Sequence, residues 1–217
     1  MQLTEQDRII IATRVGELEA RTGTQVVTAV IGKSDSYPEA PWKAFALGAA
    51  TAALAYAIWE LAAGGGWADD TARTGHVLVI LGSGAFLALL TTLFPPFARL
   101  FVDRSRRDVE VTQFAQSLFF QRGLDRTRGR VGVLLLVSLF ERKVVILADE
   151  GFDGRIGGPD WGALTGRITL LLRHRSIAIA LRAGLEAMEA MLLERGFSGA
   201  GTVNELPDAV LETKDAR

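Results

Sequence analysis

The sequence predicts an α/β fold: a small sheet of about three or four strands covered by helices and interrupted by a two-helix transmembrane hairpin. Three observations predict it. Two long apolar stretches stand close together after the first 40 residues. Runs of β-branched residues and leucine, each of strand length, lie on both sides of them. Amphipathic helical periodicity fills much of what remains. The 217 residues are 49% hydrophobic, an excess that needs a place beyond an ordinary core.

Thr4 with Asp7 marks a helix N-terminus, and the run to about Arg21 turns Ile9, Ile10, Ala12, Val15 and Leu18 inward. Gly23 ends it, and "TQVVTAVIG" is a strand. One helix and one strand cannot bury a core, so residues 1–40 must be completed by sequence further on. Residues 41–98 form the hairpin. Its spans cover about 44–63, "AFALGAATAALAYAIWELAA", and 77–94, "VLVILGSGAFLALLTTLF". At about 1.5 Å per residue each reaches roughly 27–30 Å, the thickness of a bilayer's hydrocarbon. Trp42, Trp59 and Trp67 lie near the ends of the first span, as interfacial aromatics do. Gly48, Ala52, Gly82, Ser83 and Ala85 suit close helix packing, and Pro95-Pro96 interrupts the second helix. A buried hairpin in a soluble protein is the alternative, but neither span has the polar face of a surface helix.

Residues 99–198 hold the rest of the α/β domain. In "SRRDVEVTQFAQSLFFQRGL", Val111, Phe114, Ala115, Leu118 and Phe119 form one helical stripe. Val131 to Phe140 is too short to span a membrane as a helix. Its valines and leucines, without alternation, describe a strand covered on both faces. Glu141-Arg142-Lys143 is the turn and "VVILAD" the returning strand. Two helices follow. The second is capped by Ser176, buries Ile177, Leu181, Leu185, Met188 and Leu192, and stops at Gly196. Residues 199–217 form a polar tail.

Charge and composition remove several function classes. Lys and Arg number 24 against 25 Asp and Glu, so no net field draws the chain to nucleic acid. With no cysteine there is no disulfide, thiolate metal site or cysteine nucleophile. The first 22 residues are charged throughout and do not read as a signal peptide. Lys33, Lys43, Arg99, Arg104, Arg106 and Arg107 flank the hairpin, whereas Arg73 alone lies between the spans, beside Asp69 and Asp70. The expectation is a two-pass protein of the inner membrane with both termini cytoplasmic. There, Arg99, Arg104, Arg106 and Arg107 would meet anionic lipid headgroups at about 1 kcal/mol each.

"TGTQVVTAVIGKSDSY", "RGLDRTRGRVGVLLLVSLFERKVVILADEGF" and Trp161 at the head of the next helix resemble the TPM domain family, most specifically over "GVLLLVSLFERKVVILAD". The likeness is to bacterial members in which two spans interrupt the domain after its first strand. It implies helices packed over a small sheet. For function it implies two things, because some members are described as acid phosphatases and others act as assembly or accessory factors without known catalysis.

The residues that bear on that choice are the acids Asp149, Glu150, Asp153 and Asp160. Gathered after a strand, they are candidate ligands for Ca²⁺ or Mg²⁺, with Asp149 the position the resemblance favours. A solvated turn at Asp153-Gly154 is the plain reading. Glu141 and Arg142 are a further candidate at the hairpin tip, more simply a charged turn. Arg126, Arg128 and Arg130 alternate as phosphate-binding residues would, or as a solvated edge. His76 and His174, the two histidines, are far apart and make no zinc site. Arginines on both sides of His174 disfavour the imidazolium a serine triad needs. Walker and dinucleotide-binding glycine motifs are absent. The expected function is therefore an accessory, assembly or maintenance factor for a membrane complex, not an enzyme, with the bilayer and a membrane protein of unknown identity as partners and no certain cofactor. The alternative is a metal-dependent, acid-phosphatase-like hydrolase working through the Asp149 loop.

Overall fold

The computed structural model describes residues 3–62, 70–199, 205–207 and 209–213. The chain divides into two compact units, Met1–Asp35 with Asp108–Arg217, and Ser36–Arg107.

In the first unit, a sheet in the order β3-β2-β1-β4 lies between two layers of helix. Helix α1 (Glu5–Thr22) starts at a capping box: the Thr4 hydroxyl accepts from Asp7 N–H, and the Asp7 carboxylate accepts from Thr4 in return. Those bonds, the side-chain one first, hold the Asp7 carboxyl below the ordinary aspartate range. Gly23, at φ 73°, closes the helix in the left-handed region. The buried stripe is Ile11, Val15, Leu18 and Thr22, with Ile9 and Ile10 exposed. The inward face is thus displaced from the one the sequence predicts, because spacings of four, three and four run from Ile11, not Ile9.

Strand β1 (Gln25–Ile31) pairs in parallel with β2 (Gly132–Ser138), from Gln25 opposite Gly132 to Ile31 opposite Ser138. Strand β3 (Lys143–Ala148) returns antiparallel to β2. Side chains of a strand alternate between faces, and both faces are covered, which accounts for the unbroken apolar run. Val133, Leu135 and Val137 meet α1, α6 (Gly158–His174) and α7 (Ile177–Glu194). Leu134 and Leu136 meet Val111, Ala115, Leu118 and Phe119 of α5 (Arg104–Gln121) on the other side. Each such leucine or valine, removed from water, contributes about 1.5–3 kcal/mol.

The described part of the tail is structured. Strand β4 (Leu211–Thr213) pairs in parallel with Ala29–Ile31, and Gly32 N–H donates to the Thr213 carbonyl. The Gln25 side-chain oxygen takes the N–H groups of Glu205 and Leu206 at 2.8 and 3.0 Å. Arg8 closes the edge with an ion pair to Glu212.

The second unit contains α2 (Glu39–Ala62), α3 (Asp70–Leu93) and the single turn α4 (Pro95–Ala98). Both long helices are long and apolar enough to span a membrane. Trp67 and Asp69, with the rest of 63–69, lie outside the described residues. His76, which the sequence reading leaves between the spans, is within α3 and stacks on Tyr56 of α2, ring centroids 4.0 Å apart. Close packing of the two helices falls on Gly48 and Gly84. A Cβ on Gly48 would lie 2.7 Å from the Ser83 carbonyl oxygen, whereas Gly82 has nothing within 4 Å.

Candidate functional site

The acids after β3 are distributed among basic partners. Asp149 is buried; its Oδ1 accepts from Glu150 N–H at 2.9 Å, and its Oδ2 lies 3.0 Å from Arg130 Nε. The same guanidinium reaches Glu150 Oε1 at 3.4 Å and donates to the Asp125 carbonyl at 2.8 Å. Arg130 therefore ties three loops together from a left-handed backbone, φ 57°. Gly151 lets those loops meet. A Cβ there would fall 2.3 Å from the Gly129 carbonyl oxygen and 2.5 Å from that of Arg130, an approach open only to glycine. Of the three alternating arginines, the structure gives Arg130 this structural task. Arg126 and Arg128 extend outward beside Asp125 and Glu205.

Phe152, 1% exposed, roots the acidic turn against Trp161 and Phe197. Asp160 is drawn off to α6, where Oδ2 accepts from Gly157 N–H at 3.0 Å and Oδ1 accepts from Arg195 at 2.9 Å. Asp153 stands exposed. The four candidates are thus divided between an Arg130 group, Asp149 and Glu150, and an Arg195 partner, Asp160. Among the described residues no three histidines or carboxylates gather as a metal site would need.

The opposite end of the sheet, where β1 and β2 finish, differs in charge. Glu141 is buried and not a solvent-facing turn. It accepts from Ser34 N–H at 3.0 Å, from the Ser34 hydroxyl at 2.6 Å and from the Ser138 hydroxyl, binding the ends of β1 and β2 together. Arg142 follows with φ 54° and lines a cleft of about 780 Å³. Thr169 and Arg173 of α6 form one wall, and Arg175 and Ile177 close the junction with α7. Arg142 is therefore placed where a ligand can reach it. Arg173 and Arg175 escape a sequence reading that treats "RHR" only as surroundings for His174. Their signal is a pair of bases at a helix–helix junction, which becomes a site only when the sheet end is beside it.

Of the arginines assigned to lipid headgroups, Arg106 lies over the Tyr37 ring and 3.1 Å from Glu39. Arg104 is exposed, and Arg99 and Arg107 are half-buried.

A model of the TPM domain matches residues 98–191. Among solved structures, the NMR structure of the BA42 protein from the psychrophilic bacterium Bizionia argentinensis is similar at a TM-score of 0.58. Identity is 14%, and the likeness covers 98% of this chain and 96% of that one. At that identity it is a likeness of fold. No curated protein matches the chain. The matched segment begins after the hairpin and leaves α1 and β1 outside it, although β1 is a central strand. The family that the central hairpin resembles is thus the one whose model matches residues 98–191 of this chain.

Proposed function

We propose that this chain is a TPM domain tethered to a membrane by α2 and α3, with both termini cytoplasmic, serving the assembly or maintenance of a membrane complex and not catalysis. The observation that carries the tether is the surface of the hairpin. Leu54, Ile58, Leu61, Leu78, Val79 and Phe86 are all more than half exposed. In water such a face far exceeds the few hundred Å² a soluble monomer tolerates, whereas acyl chains cover it at no cost. The basic flanks at Lys33, Lys43, Arg99, Arg104, Arg106 and Arg107 support the orientation. The accessory role draws support from the acidic loop, whose buried carboxylate is matched by Arg130 and fixed to the backbone, an arrangement that organises loops.

The chain has no native cysteine, so single cysteines report topology directly. A membrane-impermeant maleimide on intact cells should label Gly65→Cys and leave Ala216→Cys unlabelled until the cells are opened. Labelling of the second in intact cells would reverse the orientation, and extraction of the chain by alkaline carbonate would remove the tether. For the purified chain, phosphomonoester turnover with Mg²⁺ or Ca²⁺ should be absent or unchanged in Asp149→Asn. Turnover abolished by that substitution would replace the accessory reading with the hydrolase.

A further inference from the structure

Most arginines of the first unit have an anionic partner: Arg8 with Glu212, Arg14 and Arg21 with Glu189, Arg130 with Asp149, Arg195 with Asp160. Arg122, Arg142, Arg155, Arg167, Arg173 and Arg175 have none among the described residues, and of these Arg142, Arg173 and Arg175 stand together. Arg142, Arg173 and Arg175 are exposed and line the cleft at the ends of β1 and β2, and no guanidinium among them is hydrogen-bonded or ion-paired among the described residues. Carboxylates are abundant in a chain of net charge −1, so leaving three guanidinium groups unmatched in one concavity is not a matter of supply. Like charges held together raise the local potential until an anion enters.

The backbone adds a second observation. Arg142 sits at φ 54°, where an L-residue with a Cβ is disfavoured and glycine is not. The turn keeps an arginine, where glycine would be easier, at the point where its side chain lines the cleft.

We propose that this cleft binds a phosphate-bearing ligand with an aliphatic body. Guanidinium forks match phosphate oxygens in shape and charge. The cleft's size, about 780 Å³, is that of small-molecule sites. Its remaining walls include Leu139, Leu172 and Ile177, and among the described residues no aromatic ring lines it, so a nucleobase has nothing there to stack on. The site lies at the opposite end of the sheet from Asp149, and it stands whether or not the hairpin spans a membrane. A free phosphomonoester and a phospholipid headgroup share the chemistry.

The test uses the full chain in phosphatidylcholine nanodiscs, titrated calorimetrically with pyrophosphate and with glycerol 3-phosphate. Saturable binding of at least one is expected. Arg173→Ala and Arg175→Ala should each weaken it roughly tenfold, the loss of one charge-assisted contact. Arg142→Gly should weaken it similarly while leaving the melting temperature equal or higher, which separates a ligand contact from a structural one. Adding phosphatidic acid to the disc sorts the source: competition with the soluble probe assigns the headgroup, and its absence assigns a free ligand. The proposal is overturned if neither probe saturates, or if the Arg173→Ala, Arg175→Ala double variant binds like the wild type.

Discussion

Glu189 joins α7 to α1 through Arg14 and, at 2.9 Å, Arg21. Its side chain is 6% exposed and that of Arg14 15%. Burial alone would push the carboxyl up, but the hydrogen bonds and charges of Arg14 and Arg21 outweigh it and hold Glu189 below the ordinary glutamate range. A carboxyl lowered in the folded state stabilises fully above its unfolded value, about 4.3, and loses that contribution as pH falls through the folded one. Glu189→Gln removes the buried charge and leaves Arg14 only the more exposed Glu17, at 3.2 Å, as a counterion, so it should cost about 1–3 kcal/mol near neutral pH. Thermal unfolding of the full chain in neutral detergent should show the deficit at pH 7 and a shrinking one below pH of about 4. A deficit independent of pH would mean that packing, not charge, is lost. Glu189 also marks the limit of sequence reading for single residues. Asp149 and Arg142 stand next to strand ends and can be picked out from that alone. That Arg130 lies on Asp149, 19 positions away in sequence, or that Glu141 turns inward to two serines, depends on which loops the fold brings together.

At the scale of elements, periodicity carried most of the information. Helices α5 and α7 and the β2–β3 hairpin lie where their apolar spacing puts them, because each buries a continuous stripe or both faces. Strand β4 was illegible: three residues, "LET", half-exposed at a sheet edge, have no apolar pattern and owe their conformation to the free side of β1. The hairpin was legible as two long apolar helices but not in its contact. Small residues on both helices suit packing, yet only one phase of α3 faces α2, and Gly84 belongs to it whereas Gly82 does not. A Cβ on Gly84 would come 2.9 Å from the Phe45 ring and from its carbonyl oxygen. If α2 and α3 span a membrane as proposed, such close approaches are what hold them together, there being no hydrophobic drive between helices in lipid. Gly48→Leu and Gly84→Leu should each destabilise the hairpin by about 1–3 kcal/mol, seen as a lower temperature of aggregation in detergent. Gly82→Leu should leave that temperature unchanged. Equal effects at all three positions would mean that the helices do not meet on this face.

For the molecule as a whole, the question is how a globular domain tolerates some 70 foreign residues after its first strand. The first unit answers it at one turn. Ser34, just before the insertion, donates to Glu141, and Asp108, just after it, lies 3.0 Å from Lys143. Glu141 and Lys143 are two residues apart, so the ends of the insertion are held at neighbouring points on the β2–β3 turn. An insertion whose ends are already close adds little closure entropy, since that cost grows only with the logarithm of length. The core also owes the hairpin nothing: every residue of its two apolar clusters lies before position 36 or after position 107. Replacing residues 36–107 by a flexible linker of about six residues, which reaches up to roughly 20 Å, should therefore yield a water-soluble domain. It should unfold in one cooperative step, since both layers over the sheet remain. Because the cleft lies within the same unit, the excised domain should also bind pyrophosphate with the affinity of the full chain. A soluble product with helical circular dichroism but no cooperative melt would show that the hairpin helps fix the domain's packing. A folded product that no longer binds would place part of the anion site on the excised segment.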